Sequence, residues 1–279
     1  MKQIFIFSAA ILLSLSGIAQ NSPAATSGST PNTNHNRVKT FSLANADRDG
    51  AGKKRHKEAV FPHYKKLTLL YKHNLKIDEP SDICMTSDDP SHFYVVGNRG
   101  NVCVVDSNGN LLSISKQDGG DYEACCVKDH QLYVIDESMR RVYVMDEKDF
   151  NIRKTMQIPY AGGRNKAFEG ITYLPSQKKF IAIIEKPSTI YELNEQLQVT
   201  NEMRFKGAWE LSAVTYHDNF LWFLSDEGHK VMKVDPDSYQ VLDTWNVPVI
   251  NPEGVSFDAN GNLLIVSDDF GMLYKFKIQ

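Results

Sequence analysis

From residue 67 onward the chain is a succession of short apolar runs bounded by Gly, Asn, Asp, Ser and Pro, and no stretch sustains a helical 3.6-residue apolar period. The pattern predicts an all-β chain. The runs also repeat as a unit: Pro80-Ser81-Asp82-Ile83-Cys84, Tyr122-Glu123-Ala124-Cys125-Cys126, Phe168-Glu169-Gly170-Ile171-Thr172, Leu211-Ser212-Ala213-Val214-Thr215 and Pro252-Glu253-Gly254-Val255-Ser256. Their middle residues, Asp82, Ala124, Gly170, Ala213 and Gly254, are 42, 46, 43 and 41 positions apart, the length of one four-stranded propeller blade.

Each copy supplies a first strand (A) and then a second (B: His92–Val96, Gln131–Ile135, Phe180–Ile184, Phe220–Leu224, Leu263–Val266). A polar turn leads to a third (C: Val102–Val105, Val142–Met145, Ile190–Leu193, Val231–Val234, Met272–Phe276). A fourth (D) follows in the first four copies, as at Leu111–Ser115 and Val241–Trp245, whereas the fifth copy ends after C. The unassigned run Lys66–Tyr71 can complete it, closing the ring and removing a free edge. The expectation is a β-propeller of five four-stranded antiparallel blades closed by an N-terminal strand at about 66–71, with a degenerate sixth blade left open.

Antiparallel pairing puts the start of A and the end of B at one end of every blade, hence at one mouth of the ring. The starts of A carry Glu79, Glu123, Glu169, Glu210 and Glu253, with Ser81 and Ser212 beside two of them. The ends of B carry Asn98, Asp136-Glu137, Glu185, Asp226-Glu227 and Asp268-Asp269. Crowded carboxylates must take up protons or a cation, and calcium suits them because it accepts six to eight oxygen ligands in loose geometry. No His or Cys accompanies these acids at zinc-ligand spacing. His229 falls in a turn at this mouth, while His92, His130 and His217 fall at the opposite end. Two readings stay open: a cation or ligand site, or inner-strand glutamates that accept backbone N–H groups and turn acids of ordinary kind. Arg99, Arg164, Lys166 and Lys186 fall in loops at the same mouth, where they would balance the acids or hold an anionic substrate.

Charge sharpens this placement. The formal net charge is −3, but residues 1–36 carry +1 and residues 37–66 carry +6, leaving −10 for residues 67–279. An acidic body gives no reason to expect a nucleic-acid partner. At the start, Met1-Lys2-Gln3 and the apolar run from Ile4 to Ile18 read as a signal peptide spanning 1–20, cleaved after Ala19 or Gln20 or retained as an anchor. Residues 21–65 read as a polar and then basic linker, and 66–279 as the propeller. Within the linker, Asn45-Ala46-Asp47-Arg48-Asp49-Gly50 imitates half of an EF-hand loop, but His56 stands where the bidentate Glu belongs. Export permits disulfides, yet the spacing of Cys84, Cys103, Cys125 and Cys126 demands none, and a Cys125–Cys126 bond would close a strained ring.

The blade motifs resemble the SdiA-regulated, YjiK-like family: Phe168-Glu169-Gly170-Ile171-Thr172-Tyr173 with Ile184-Glu185-Lys186-Pro187, Leu211-Ser212-Ala213-Val214-Thr215-Tyr216 with Leu224-Ser225-Asp226-Glu227, and Pro252-Glu253-Gly254-Val255 with Asn260-Gly261-Asn262-Leu263. The resemblance implies an exported or envelope-associated propeller, with calcium linked to some members and no settled enzymatic activity. Blade 1 departs from it, with Asp82 in place of Gly and Asn98-Arg99 in place of an acid. The sequence holds no Gly-x-Ser-x-Gly, His-Glu-x-x-His, phosphate loop or Cys-x-x-Cys. The expected function is therefore a non-enzymatic envelope propeller in the periplasm or at the membrane, binding calcium or a small ligand as sensor or scaffold. The metal candidates are Glu123, Glu169, Glu253, Glu210 and Glu79. Two alternatives remain: a calcium-dependent hydrolase of lactones or phosphate esters, using Arg164 and Lys166, and a protein-docking propeller with Trp209, Tyr122 and Phe168 at the rim.

Overall fold

Short apolar runs separated by tight turns fold as meanders, and the chain does this five times. The computed structural model describes residues 64–115, 120–157 and 168–279. The signal-peptide reading, the EF-hand look-alike and nearly all of the linker lie outside them, as do Arg164 and Lys166. Blade 1 consists of β3 (Pro80–Met85), β4 (His92–Gly97), β5 (Asn101–Asp106) and β6 (Leu111–Ile114), and blade 2 of β7 (Tyr122–Lys128), β8 (Gln131–Asp136), β9 (Arg141–Asp146) and β10 (Ile152–Gln157). Blade 3 consists of β11 (Phe168–Leu174), β12 (Lys179–Ile184), β13 (Thr189–Leu193) and β14 (Val199–Arg204). Blade 4 consists of β15 (Ala213–His217), β16 (Phe220–Ser225), β17 (Lys230–Val234) and β18 (Val241–Asn246). Blade 5 consists of β19 (Pro252–Phe257), β20 (Leu263–Ser267) and β21 (Met272–Lys277).

The ring closes through an N-terminal strand, β2 (Thr68–Asn74), antiparallel to β21 on the outer edge of blade 5. It runs a few residues further along than the hydrophobic pattern suggests. Lys65–Lys66 form a separate strand, β1, that lies parallel to β18 and gives blade 4 a fifth strand. Leu67 packs among Trp245, Val247 and Phe276 of blades 4 and 5, so the chain changes partner there. A run of sequence cannot show which of two sheets it joins. Among the described residues there are five blades and no sixth.

The inner strands β3, β7, β11, β15 and β19 touch one another in a closed cycle around the axis. Five apolar clusters fill the five gaps between blades: Val96, Val102 and Cys125 between blades 1 and 2, and Phe168, Phe180 and Ala182 between 2 and 3. Ile183 and Phe223 lie between 3 and 4, Trp222 and Ile265 between 4 and 5, and Phe93 and Leu264 between 5 and 1. No blade can bury both faces alone, which is why the repeat must close on itself. The second strands are accordingly buried almost throughout, β20 at every residue. Close approach at the axis needs small residues. A Cβ on Gly254 would lie 2.7 Å from Asp82 Cα on the adjoining inner strand.

Candidate functional site

In blades 1, 2, 3 and 5 the pairing between first and second strands slips by one residue at the same place: between Pro80 and Asp82, Tyr122 and Ala124, Phe168 and Gly170, and Pro252 and Gly254. The extra residues are Ser81, Glu123, Glu169 and Glu253. A bulge of this kind re-aims a side chain. Here it turns these four residues into the mouth of the ring, where Ser212 of blade 4 joins them. They line a cavity of about 230 Å³ together with Asn98, Glu137, Glu185, Glu210, Asp226 and Asp268. Among the described residues no Lys or Arg lines it.

The acids differ in what they do. Burial, followed by the charges of Asp121 and Glu137, pushes the Glu123 carboxyl up to about 8, with the neighbouring Ser81 hydroxyl pulling the other way. Burial, followed by Asp226 and Asp268, pushes Glu253 up to about 8 as well. Glu169 is raised well above the ordinary range, by burial first and then by Glu123, Glu137, Glu185 and Glu253. Glu210 is buried and fully engaged: it accepts from Ser225 Oγ at 2.9 Å, Glu227 N at 3.0 Å and Asp226 N at 3.4 Å, tying its loop to the β16–β17 turn. Asp136 does comparable turn work, accepting from Ser138 Oγ and Met139 N. Ser81 Oγ donates to Asn98 Oδ1, Ser212 Oγ donates to the Pro252 carbonyl at 2.9 Å, and the buried Oδ1 of Asp268 has no hydrogen-bond partner.

Glu79 and Asp269 do not reach the mouth. They border a side cavity with Asp78, Arg99 and Phe270, in which Arg99 lies 3.4 Å from Asp78 and 3.8 Å from Glu79. Glu79 has a left-handed backbone, φ 50°, and its side chain stays in solvent. A strand pattern cannot register such a turn. Glu227 also stays outside, with Lys186 bridging it at 2.7 Å and Glu185 at 2.8 Å. Tyr122 and Phe168 are buried against Tyr143 and Tyr191, whereas Trp209 is 72% exposed. The apolar groups exposed in the loops of this face are Met139, Trp209, Ile250 and Phe270. Asp121 was not expected: its carboxylate oxygen lies within 4.8 Å of those of Glu123 and Glu137. Its position two residues before Glu123 was the available signal.

His217 lines a second cavity, of about 280 Å³, at the far end of the inner strands. His92 and His130 pair there with Asp89 and Asp88 at 3.3 and 3.2 Å.

A family model described as SdiA-regulated matches residues 58–277. A search of curated proteins finds no match. Of solved structures, 1547 chains match, so the architecture is widely shared and does not select a function. One is the glutaminyl cyclase of Myxococcus xanthus, with a TM-score of 0.62 and 10% identity over 77% of this chain and 98% of that one. Another is the hydrazine synthase of Kuenenia stuttgartiensis, with a TM-score of 0.45 and 16% identity over 68% of this chain and 56% of that one. At such identities the likeness to the cyclase is one of fold, and that to the synthase carries no conclusion.

Proposed function

The chain belongs to the SdiA-regulated family, and from that premise we propose that it acts at the cell envelope as a binding propeller whose acidic mouth takes a calcium ion. The observation that carries this reading is the convergence of Glu123, Glu169 and Glu253, at equivalent bulges of three blades, on one cavity without a Lys or Arg among its described lining. The donor set fits the ion. Carboxylate, hydroxyl and amide oxygens from Glu123, Glu169, Glu253, Ser81, Ser212 and Asn98 are the hard ligands that calcium selects, and several blades can supply the loose coordination it accepts. A divalent ion would replace the protons that burial and mutual repulsion otherwise force onto these carboxyls. Delivery to the envelope is supported by the leader-like run at Ile4–Ile18. A binding role, as sensor or scaffold, is supported by the sequence's lack of a nucleophile–base motif.

Thermal unfolding with excess calcium and with chelator tests the reading. At about 100 times Kd a bound ion adds about 2.7 kcal/mol, which corresponds to a rise in Tm of roughly 5–10 °C for a domain of this size. In the double variant Glu169→Gln/Glu253→Gln the rise should vanish. Coincident wild-type curves with and without calcium would remove the calcium assignment.

A further inference from the structure

The two ends of the ring differ in kind. Carboxylates line the acidic mouth, whereas the far cavity of about 280 Å³ has no Asp, Glu, Lys or Arg among its described lining. Residues later in each inner strand lie nearer the far face, so Ile83, Ile171 and Val214 form the floor of this cavity and Tyr173, Tyr216 and His217 stand at its entrance. One wall is flat: the His217 ring stacks on Phe257 with centroids 4.0 Å apart and planes 6° apart. Trp222 braces Phe257 at 4.8 Å. Both tyrosine hydroxyls are tied elsewhere, Tyr173 to Glu195 at 2.7 Å and Tyr216 to Asn219 at 3.3 Å. Three lining groups have no such engagement. No described residue hydrogen-bonds to the Ser256 hydroxyl, the Thr215 hydroxyl or the ring nitrogens of His217. Ser256 is only 4% exposed, and a buried hydroxyl left without a partner costs free energy that a ligand's polar group recovers.

We propose that the far cavity is a second binding site, which takes a small uncharged aromatic molecule carrying one hydrogen-bonding group. The size fits. A dry apolar cavity of about 150 Å³ suffices for benzene, so about 280 Å³ admits a substituted single ring. The composition fits as well, since apolar walls with a few placed polar groups are the usual make-up of a small-molecule pocket. With no charged side chain in the described lining, an ion entering here would give up hydration without gaining a counter-charge, which selects for a neutral ligand. The wall of His217 and Phe257 selects for a flat one, because an aromatic ring extends such a stack or meets it edge-on. The Ser256 and Thr215 hydroxyls and the His217 imidazole offer donors and acceptors together, so a phenol-type hydroxyl finds a partner in either role. Burial lowers the His217 pKa, which favours the neutral imidazole and preserves its acceptor nitrogen.

The test is an NMR titration of the full chain at pH 7 with p-cresol, and with 4-hydroxyphenylacetate, tyramine and 4-methylcyclohexanol as its anionic, cationic and non-planar counterparts. The expected result is saturable one-to-one binding of p-cresol, with intermolecular NOEs to the ring protons of His217 and Phe257. Each counterpart should bind at least about tenfold more weakly. Ser256→Ala and His217→Ala should each weaken p-cresol binding by roughly threefold to tenfold, the loss of one hydrogen bond or of the stack. No saturable binding up to the solubility of p-cresol, NOEs confined to residues elsewhere, or equal affinities for the four compounds would overturn the proposal. If an alanine variant fails to fold, the wild-type NOEs and the ranking of the four compounds decide. The titration is run with chelator present, so its outcome is independent of the calcium reading.

Discussion

At the scale of single residues, the first blade shows how one substitution in a repeat is absorbed. Asp82 occupies a position that is Gly or Ala in the other four copies, and it is 1% exposed. One of its oxygens satisfies the Cys125 N–H, and the other, Oδ1, has no partner. Burial holds the carboxyl well above its ordinary range, which favours the neutral form and lowers the cost of placing it here relative to a buried anion. Asp82→Asn keeps the acceptor without needing the proton and should leave the urea midpoint nearly unchanged at pH 7. Asp82→Ala leaves a buried N–H without an acceptor and should cost about 1–3 kcal/mol. Equal midpoints for the alanine and asparagine variants would show that the Cys125 bond contributes nothing.

At the scale of elements, the closing strand separates recognition of a pattern from its placement. The run from Lys66 to Tyr71 announces a strand, and a ring ending after the third strand of its last blade needs one. The partner and register come from elsewhere: a bulge between Leu69 and Tyr71 shifts β2 along β21, and Leu67, fixed among blade 4 and 5 side chains, ends β1 and begins β2. Most of β2 is solvent-exposed, so its contribution is chiefly the edge it covers and the two blades it ties together. A chain starting at Leu75 should therefore unfold at a lower urea concentration than one starting at Tyr64, and associate as its concentration rises because β21 becomes a free edge. Sedimentation of the two forms at several concentrations checks this, and a monomeric truncated form with an unchanged midpoint would contradict it.

At the scale of the whole molecule, the mouth is a store of repulsion set up by ring closure. Glu123 and Glu253 titrate near 8 in the folded protein, against 4.5 for a free Glu. Between those values the folded state binds more protons than the unfolded state. Stability from these groups is full below about pH 4.5 and is lost as pH climbs through 8. His217, whose pKa is lowered by burial, acts only below its usual value of 6.5 and does not disturb the upper part of this window. Without calcium, the urea midpoint should fall from pH 7 to pH 9. With calcium it should fall less, and binding at pH 7 should release protons, measurable by calorimetry in two buffers of different ionisation enthalpy. A midpoint that is flat with pH in the presence of chelator would show that the mouth acids are not strained.

The sequence by itself determined the blade repeat, the ring, its N-terminal closure and the negative sign of one mouth, because strand period, repeat length and turn residues are local properties that survive without neighbours; that the described residues form five blades and no sixth was decided by the structure. It put twelve acids at that mouth, but the tertiary structure decided which of them converge. Bulges turn Glu123, Glu169 and Glu253 inward. A left-handed residue keeps Glu79 in solvent, hydrogen bonds occupy Glu210, and Lys186 holds Glu227 aside. The same limit hid Asp121: its approach to Glu123 and Glu137 depends on how neighbouring strands and loops lie against one another, and that geometry is fixed only when the blade folds.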